Sequence, residues 1–142
     1  MTIKQADITT VVQLSKRIPE FQNPYEATIY EAKLAKVPHL ILVAYDEDLP
    51  IGFKVGYERE KGSFYSWMGA VLPSHRRKGV AQKLADIQEA WVRKKGYTFI
   101  TFKTRNYLKA MLTFGINNGF NIFKIEERAN INEYRIWLRK EL

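Results

Sequence analysis

The run Gly69-Ala70-Val71-Leu72-Pro73-Ser74-His75-Arg76-Arg77-Lys78-Gly79-Val80-Ala81 decides how this chain folds. Its apolar first part reads as a strand that stops at Pro73. A short basic turn follows, and Gly79 stands where an amphipathic helix begins. A helix start leaves several backbone N–H groups without intrahelical partners and carries the positive end of the macrodipole. Gly79 places no side chain in the way of a close approach, and Arg76, Arg77 and Lys78 add positive charge. That combination is a turn built for a phosphate or pyrophosphate.

Working outward, the helix after the turn carries an apolar stripe at Val80, Leu84, Ile87 and Trp91, with Ala81 and Ala85 beside it and charged residues opposite. Glu89 and Arg93 are spaced for an i,i+4 pair, and Gly96 ends the helix. Tyr97 to Phe102 reads as a strand, parallel to Ser63–Leu72 if the three elements form a βαβ unit. Upstream, His39 to Tyr45 is a continuous apolar strand and Pro50 to Tyr57 returns antiparallel. Asp7 caps a helix ending near Ile18-Pro19, after a first strand at Ile3–Ala6. A second helix is expected with Asn23 as cap, Pro24 in the first position and Glu26 reaching back as a capping-box carboxylate. Downstream come a helix over Tyr107–Asn117 with Asn118-Gly119 as its left-handed cap, then a hairpin of Phe120–Ile125 and Ile131–Leu138. The order β-α-α-β-β-β-α-β-α-β-β describes an α/β mixed sheet with helices on both faces.

The 142 residues make one domain, 1–142, with no repeat, linker or low-complexity tract. No stretch is long and apolar enough for a membrane span, and Met1 to Asp7 lacks the apolar core of a secretory signal, so a cytoplasmic location is expected. Without cysteine there is no thiolate nucleophile, and His39 and His75 are the only imidazoles, so no metal site is expected. The net charge of +8 suits nucleic acid, an anionic membrane or a polyanionic small molecule. A phosphate turn inside a βαβ unit favours the small molecule.

The spacing Arg76-x-x-Gly79-x-Ala81, within this order of elements, resembles the (Gln or Arg)-x-x-Gly-x-(Gly or Ala) motif of the GCN5-related N-acetyltransferases, and the resemblance runs over essentially the whole chain. It implies acetyl-coenzyme A as acyl donor, with its pyrophosphate on the turn Arg76, Arg77, Lys78, Gly79, Val80 and Ala81. The pantetheine arm would lie along Gly69, Ala70 and Val71, where the fourth and fifth strands splay apart. Asn106 resembles an asparagine that contacts the cofactor in the family, though an N-cap role explains it as well, and His75 reads as an exposed turn residue.

The resemblance also implies acetyl transfer to a primary amine of a small molecule or protein, directly within a ternary complex because no cysteine can hold the acyl group. Two departures stand out. The position of the family's usual acidic tyrosine is Gly115, whose presence in a helix suggests that something large, the thioester or Trp67, packs over it. The strand position of the usual glutamate base is Tyr65. Tyr65 and Tyr107 are the candidates for the acid and Glu26 or Glu31 for the base, with proton loss through water and no single base as the alternative. Aromatic residues of Phe21–Tyr30 and Tyr57–Trp67 would wall an acceptor site suited to an apolar or cationic amine. The alternatives are a non-catalytic acyl-coenzyme A-binding relative and a small basic nucleic-acid-binding module, and a homodimer is open, with the strand of Trp137 as interface or core.

Overall fold

The computed structural model describes residues 1–142. In chain order the elements are β1 (Thr2–Gln5), α1 (Ile8–Ser15), α2 (Ala27–Leu34), β2 (His39–Asp46), β3 (Leu49–Glu60), β4 (Ser63–Val71), α3 (Val80–Lys94), β5 (Phe99–Arg105), α4 (Lys109–Asn117), β6 (Asn121–Glu126) and β7 (Arg135–Glu141). They form one seven-stranded sheet in the order β1-β2-β3-β4-β5-β7-β6. Only β4 and β5 run parallel, joined by the α3 crossover. No helix is long and apolar enough to cross a membrane.

One face of the sheet buries Val43, Phe53 and Val55 against Val11 and Leu14 of α1 and Tyr30 and Leu34 of α2. The other buries Leu40, Leu42, Phe64 and Ile100 against Val80, Leu84 and Val92 of α3. α4 joins that second face, where Leu112 packs on Phe102, Ile136 and Leu138. The caps read from the sequence take their roles at three helix ends. Asp7 Oδ1 accepts the Thr10 N–H at 3.0 Å. Gly96 and Gly119 adopt φ of +87° and +88°, and each is followed by an N–H that reaches back to an earlier carbonyl of its helix.

Several expectations are corrected. α2 begins at Ala27, not at Pro24, and Glu26 makes no side-chain cap bond. Tyr25 stays outside the helix and stacks on Trp67, ring centroids 5.7 Å apart, so the aromatic contact prevails over the capping box. The α3 stripe turns by one residue. Gln88 is buried with Val80, Leu84 and Val92, while Ile87 is 40% exposed. The closing strands lie further along than expected, because Ile131–Glu133 forms a 3-10 turn ahead of β7. Trp137 is buried, which makes it core.

Candidate functional site

β4 and β5 pair only at Ser63–Phe99, Phe64–Ile100 and Tyr65–Thr101. Past Tyr65 they separate. β4 keeps β3 as its single neighbour up to Val71, while β5 continues beside β7. A β-bulge sits at the point of separation. Val55 pairs with Met68 and Gly56 with Ser66, so Trp67 is the extra residue. A bulge bends its strand and sharpens the local twist, and here it carries β4 away from β5.

The opening is the mouth of a cleft of about 1160 Å³, bounded by Met68–Val71 of β4, the start of α3, Phe102–Arg105 of β5 and the first turns of α4. Gly69 lines it, and a β-carbon there would press on β3, 3.3 Å from the Phe53 carbonyl. The buried Gln88 and the partly buried Lys54 also line it. Lys54 makes no ion pair, and burial pulls its ammonium down to about 8. Neither residue was singled out from sequence, because polar side chains on otherwise apolar elements read as surface positions.

The basic turn closes one end of the cleft. Pro73–His75 forms a 3-10 turn, Arg77 has φ of +61° and Gly79 has φ of +81° as the residue capping α3. The backbone N–H groups of Arg77, Lys78, Gly79, Val80, Ala81 and Gln82 have no acceptor in the protein. Consecutive free N–H groups in such a turn, at the positive end of a 15-residue helix, make a concave anion site. A β-carbon on Gly79 would meet nothing within 4 Å, so it would project into open space beside the site.

The side chains around the turn hold its shape. Arg76 donates from Nε to the Val71 carbonyl at 2.9 Å and forms a two-pronged pair with Glu20, both bonds 2.8 Å. That pair holds the Glu20 carboxyl down at about 2. His75 is half-buried, not the exposed turn residue expected, because Nε2 bonds Asp46 at 2.9 Å. Gln82 donates to Asn118 Oδ1 at 2.6 Å and links the start of α3 to the end of α4 across the cleft.

A family model described as acetyltransferase (GNAT) family matches residues 8–115. The chain belongs to that family. Solved structures agree in fold. The ribosomal-protein-S18-alanine N-acetyltransferase from Escherichia coli superposes at TM-score 0.83 and 15% identity, over 99% of this chain and 92% of that one. A chain of the NatC complex bound to Gag peptide and CoA matches at 0.80 and 23%, over 99% and 98%. An aminoglycoside 6′-acetyltransferase type Ii matches at 0.79 and 20%, over 99% and 97%. No curated protein sequence matches the chain.

On the α2 face of this GNAT sheet, a second cavity of about 220 Å³ is lined by Tyr25, Ile29, Lys33, Tyr57, Arg59, Tyr65, Trp67 and Lys103. Trp67 and Lys103 line both cavities, so the two spaces adjoin where β4 and β5 part. Tyr65 belongs to the smaller one. It is 3% exposed, and burial with the neighbouring Tyr57 pushes its phenol up to about 12. Tyr107 lines the larger cleft and is half exposed. Glu26 lines neither, lying 4.0 Å from Lys16 on the surface. Asn106 donates to the Ile131 carbonyl at 3.1 Å and accepts from Lys109, which pins the 3-10 turn before β7. The neighbour that demands a glycine at 115 is Phe102, not Trp67. A β-carbon there would stand 2.6 Å from Phe102 Cζ and 3.2 Å from Leu138 Cδ2.

Proposed function

We propose that this GNAT protein is an acetyl-coenzyme A-dependent N-acetyltransferase that moves an acetyl group directly onto a primary amine in a ternary complex. The observation that carries the reading is that two neighbouring cavities, one headed by a free run of backbone N–H groups, share Trp67 and Lys103 where β4 and β5 part. Acetyl-coenzyme A, when bound, supplies an acyl group activated as a thioester. Its pyrophosphate fits the N–H groups of Arg77 to Gln82, with the exposed Arg77 and Lys78 adding charge and Arg76 holding the turn in place. The edge of β4 at Gly69, Ala70 and Val71 has no strand beside it, which suits an extended pantetheine arm.

The amine must be neutral to attack. No carboxylate lines the smaller cavity, whereas Lys33, Arg59 and Lys103 do. Like charges lower the pKa of an ammonium group, so this cavity promotes loss of the proton to water without a dedicated base. Tyr65, with its phenol near 12, stays protonated at neutral pH and acts as a donor that orients the acceptor. We assign Tyr107, on the wall of the larger cleft, as the proton donor on the leaving-group side.

The test is a thermal melt with acetyl-coenzyme A, followed by thiol release against an amine panel. A ligand at a hundred times its dissociation constant adds about 2.7 kcal/mol, or roughly 5–15 °C here. A shift of that size with thiol release that depends on an amine supports the proposal. No shift at millimolar ligand contradicts it. A shift without turnover on any amine would favour acyl-coenzyme A binding alone, a reading to which Gly115, closed off by Phe102, lends weight.

A further inference from the structure

Aromatic residues with a few carboxylates lead to the expectation of an apolar or cationic amine, but no carboxylate lines the smaller cavity. The smaller cavity has the opposite charge. Its charged lining residues, Lys33, Arg59 and Lys103, are all cations. Arg135 lies close enough to act on both Tyr65 and Lys103. None of the four is in an ion pair. Glu126, the acid that acts on Lys103, already accepts from Trp137 Nε1 and pairs with Arg128.

Among the rings that line the cavity, Tyr65 already has two of the chain's own cations near it. Arg59 sits 5.4 Å from the centre of the Tyr65 ring and 4.5 Å from that of Trp137. Lys103 lies 6.0 and 5.2 Å from the same two. Tyr25 is stacked on Trp67. A cationic acceptor would meet unpaired positive charge, whereas an anion would complete an unfinished set of pairs.

We infer that the acceptor is a small primary amine that also carries an anionic group, carboxylate or phosphate, held by Arg59 and Lys33 with the amine turned toward Lys103 and the gap between β4 and β5. The inference rests on the acetyltransferase reading above. The cavity of about 220 Å³ equals the liquid volume of about seven waters, which suits a molecule of amino-acid size. In the transfer, the amine nitrogen bonds to the acetyl carbon and the carbon–sulfur bond breaks. The amine's proton passes to water, and the thiolate leaves with a proton from the chain or solvent.

The experiment compares two matched pairs, phenylalanine against phenylalaninamide and O-phosphoethanolamine against ethanolamine, in wild type and in Arg59→Gln and Lys33→Gln. Thiol release gives kcat/KM for each, and calorimetry gives acetyl-coenzyme A affinity in parallel. The anionic member of at least one pair should be favoured about 10–100-fold, the range of a hydrogen bond to a charged group. This should hold although the amine of phenylalaninamide is the less basic and more often neutral. Either variant should cut that preference while acetyl-coenzyme A affinity stays the same, and Arg59→Glu should reverse it. Equal or better turnover of the neutral members overturns the inference and leaves the transferase reading standing. If acetyl-coenzyme A binds but no member turns over, tryptophan fluorescence titrated with phenylalanine and O-phosphoethanolamine decides. A saturable change weakened by Arg59→Gln supports the anion site, and its absence overturns it. Failure to bind acetyl-coenzyme A overturns both readings together.

Discussion

Gly79→Ala separates the anion-site role of the basic turn from its contribution to folding. Gly79 has φ of +81°, and a β-carbon there would touch no protein atom within 4 Å. The substitution therefore brings backbone strain but no clash. An L-residue in the left-handed region costs about 1 kcal/mol, or roughly 2–6 °C in a chain of this size. Gly96, at the other end of α3, has φ of +87° and equally open surroundings, and it does not line the cleft. Gly96→Ala thus imposes the same strain away from the site, and both variants should lose the same few degrees. Only Gly79→Ala also places a methyl group beside the free N–H groups of Arg77 to Gln82. Losing one charge-assisted bond there, at about 1.5–3 kcal/mol, predicts coenzyme A binding weakened roughly 10–100-fold by calorimetry, with Gly96→Ala unchanged. Equal affinities in the two variants would refute the reasoning, whatever their melting temperatures.

Gly115→Ala should destabilise the protein by about 1–3 kcal/mol through overpacking against Phe102, and Phe102→Leu in the same chain should restore much of the loss. A Gly115→Ala protein that melts like wild type would show that the contact is slack. Lys54→Met should raise the melting temperature at pH 7. The Lys54 ammonium is held at about 8 against 10.5 when exposed, so the unfolded chain binds its proton more tightly. The penalty is complete below pH 8 and relieved between about 8 and 10.5, a rise in stability that the variant should lack. A lower melting temperature for Lys54→Met at pH 7 would contradict this. Glu20→Gln tests the tie to Arg76. With the carboxyl held near 2 instead of 4.5, its stabilisation is present above pH 4.5 and fades as pH falls toward 2. Both groups are well exposed, so the loss at pH 7 should stay under about 1 kcal/mol, and the two proteins should converge in acid melts.

What could be read from sequence was whatever a few consecutive residues decide. Pro73 and Gly79 bracket the turn, Asp7 accepts from a residue three places on, and Gly96 and Gly119 end helices by their own backbone geometry. The β4–β5 opening could be anticipated only through resemblance, because its cause is a count of pairings between strands. One extra residue, Trp67, turns β4 from its partner, and no local signal marks that position as a bulge. Gly115 was visible as an anomaly, but its neighbour lies on β5, out of reach of any reading along the chain. Glu26 looked like a capping residue until Tyr25 was drawn to Trp67. The charge of the smaller cavity was hidden most deeply. Lys33, Arg59 and Lys103 come from a helix and two strands, and each alone resembles a solvated surface residue.

The most direct test of the account is a titration of the ¹⁵N-labelled protein with coenzyme A, followed by amide resonances. The free N–H groups of Arg77 to Gln82 should move first and furthest, joined by Gly69 to Val71 along the open edge of β4, while Gly96 at the far end of α3 stays still. Binding that leaves Arg77 to Gln82 unmoved, or no binding at millimolar coenzyme A, would contradict it.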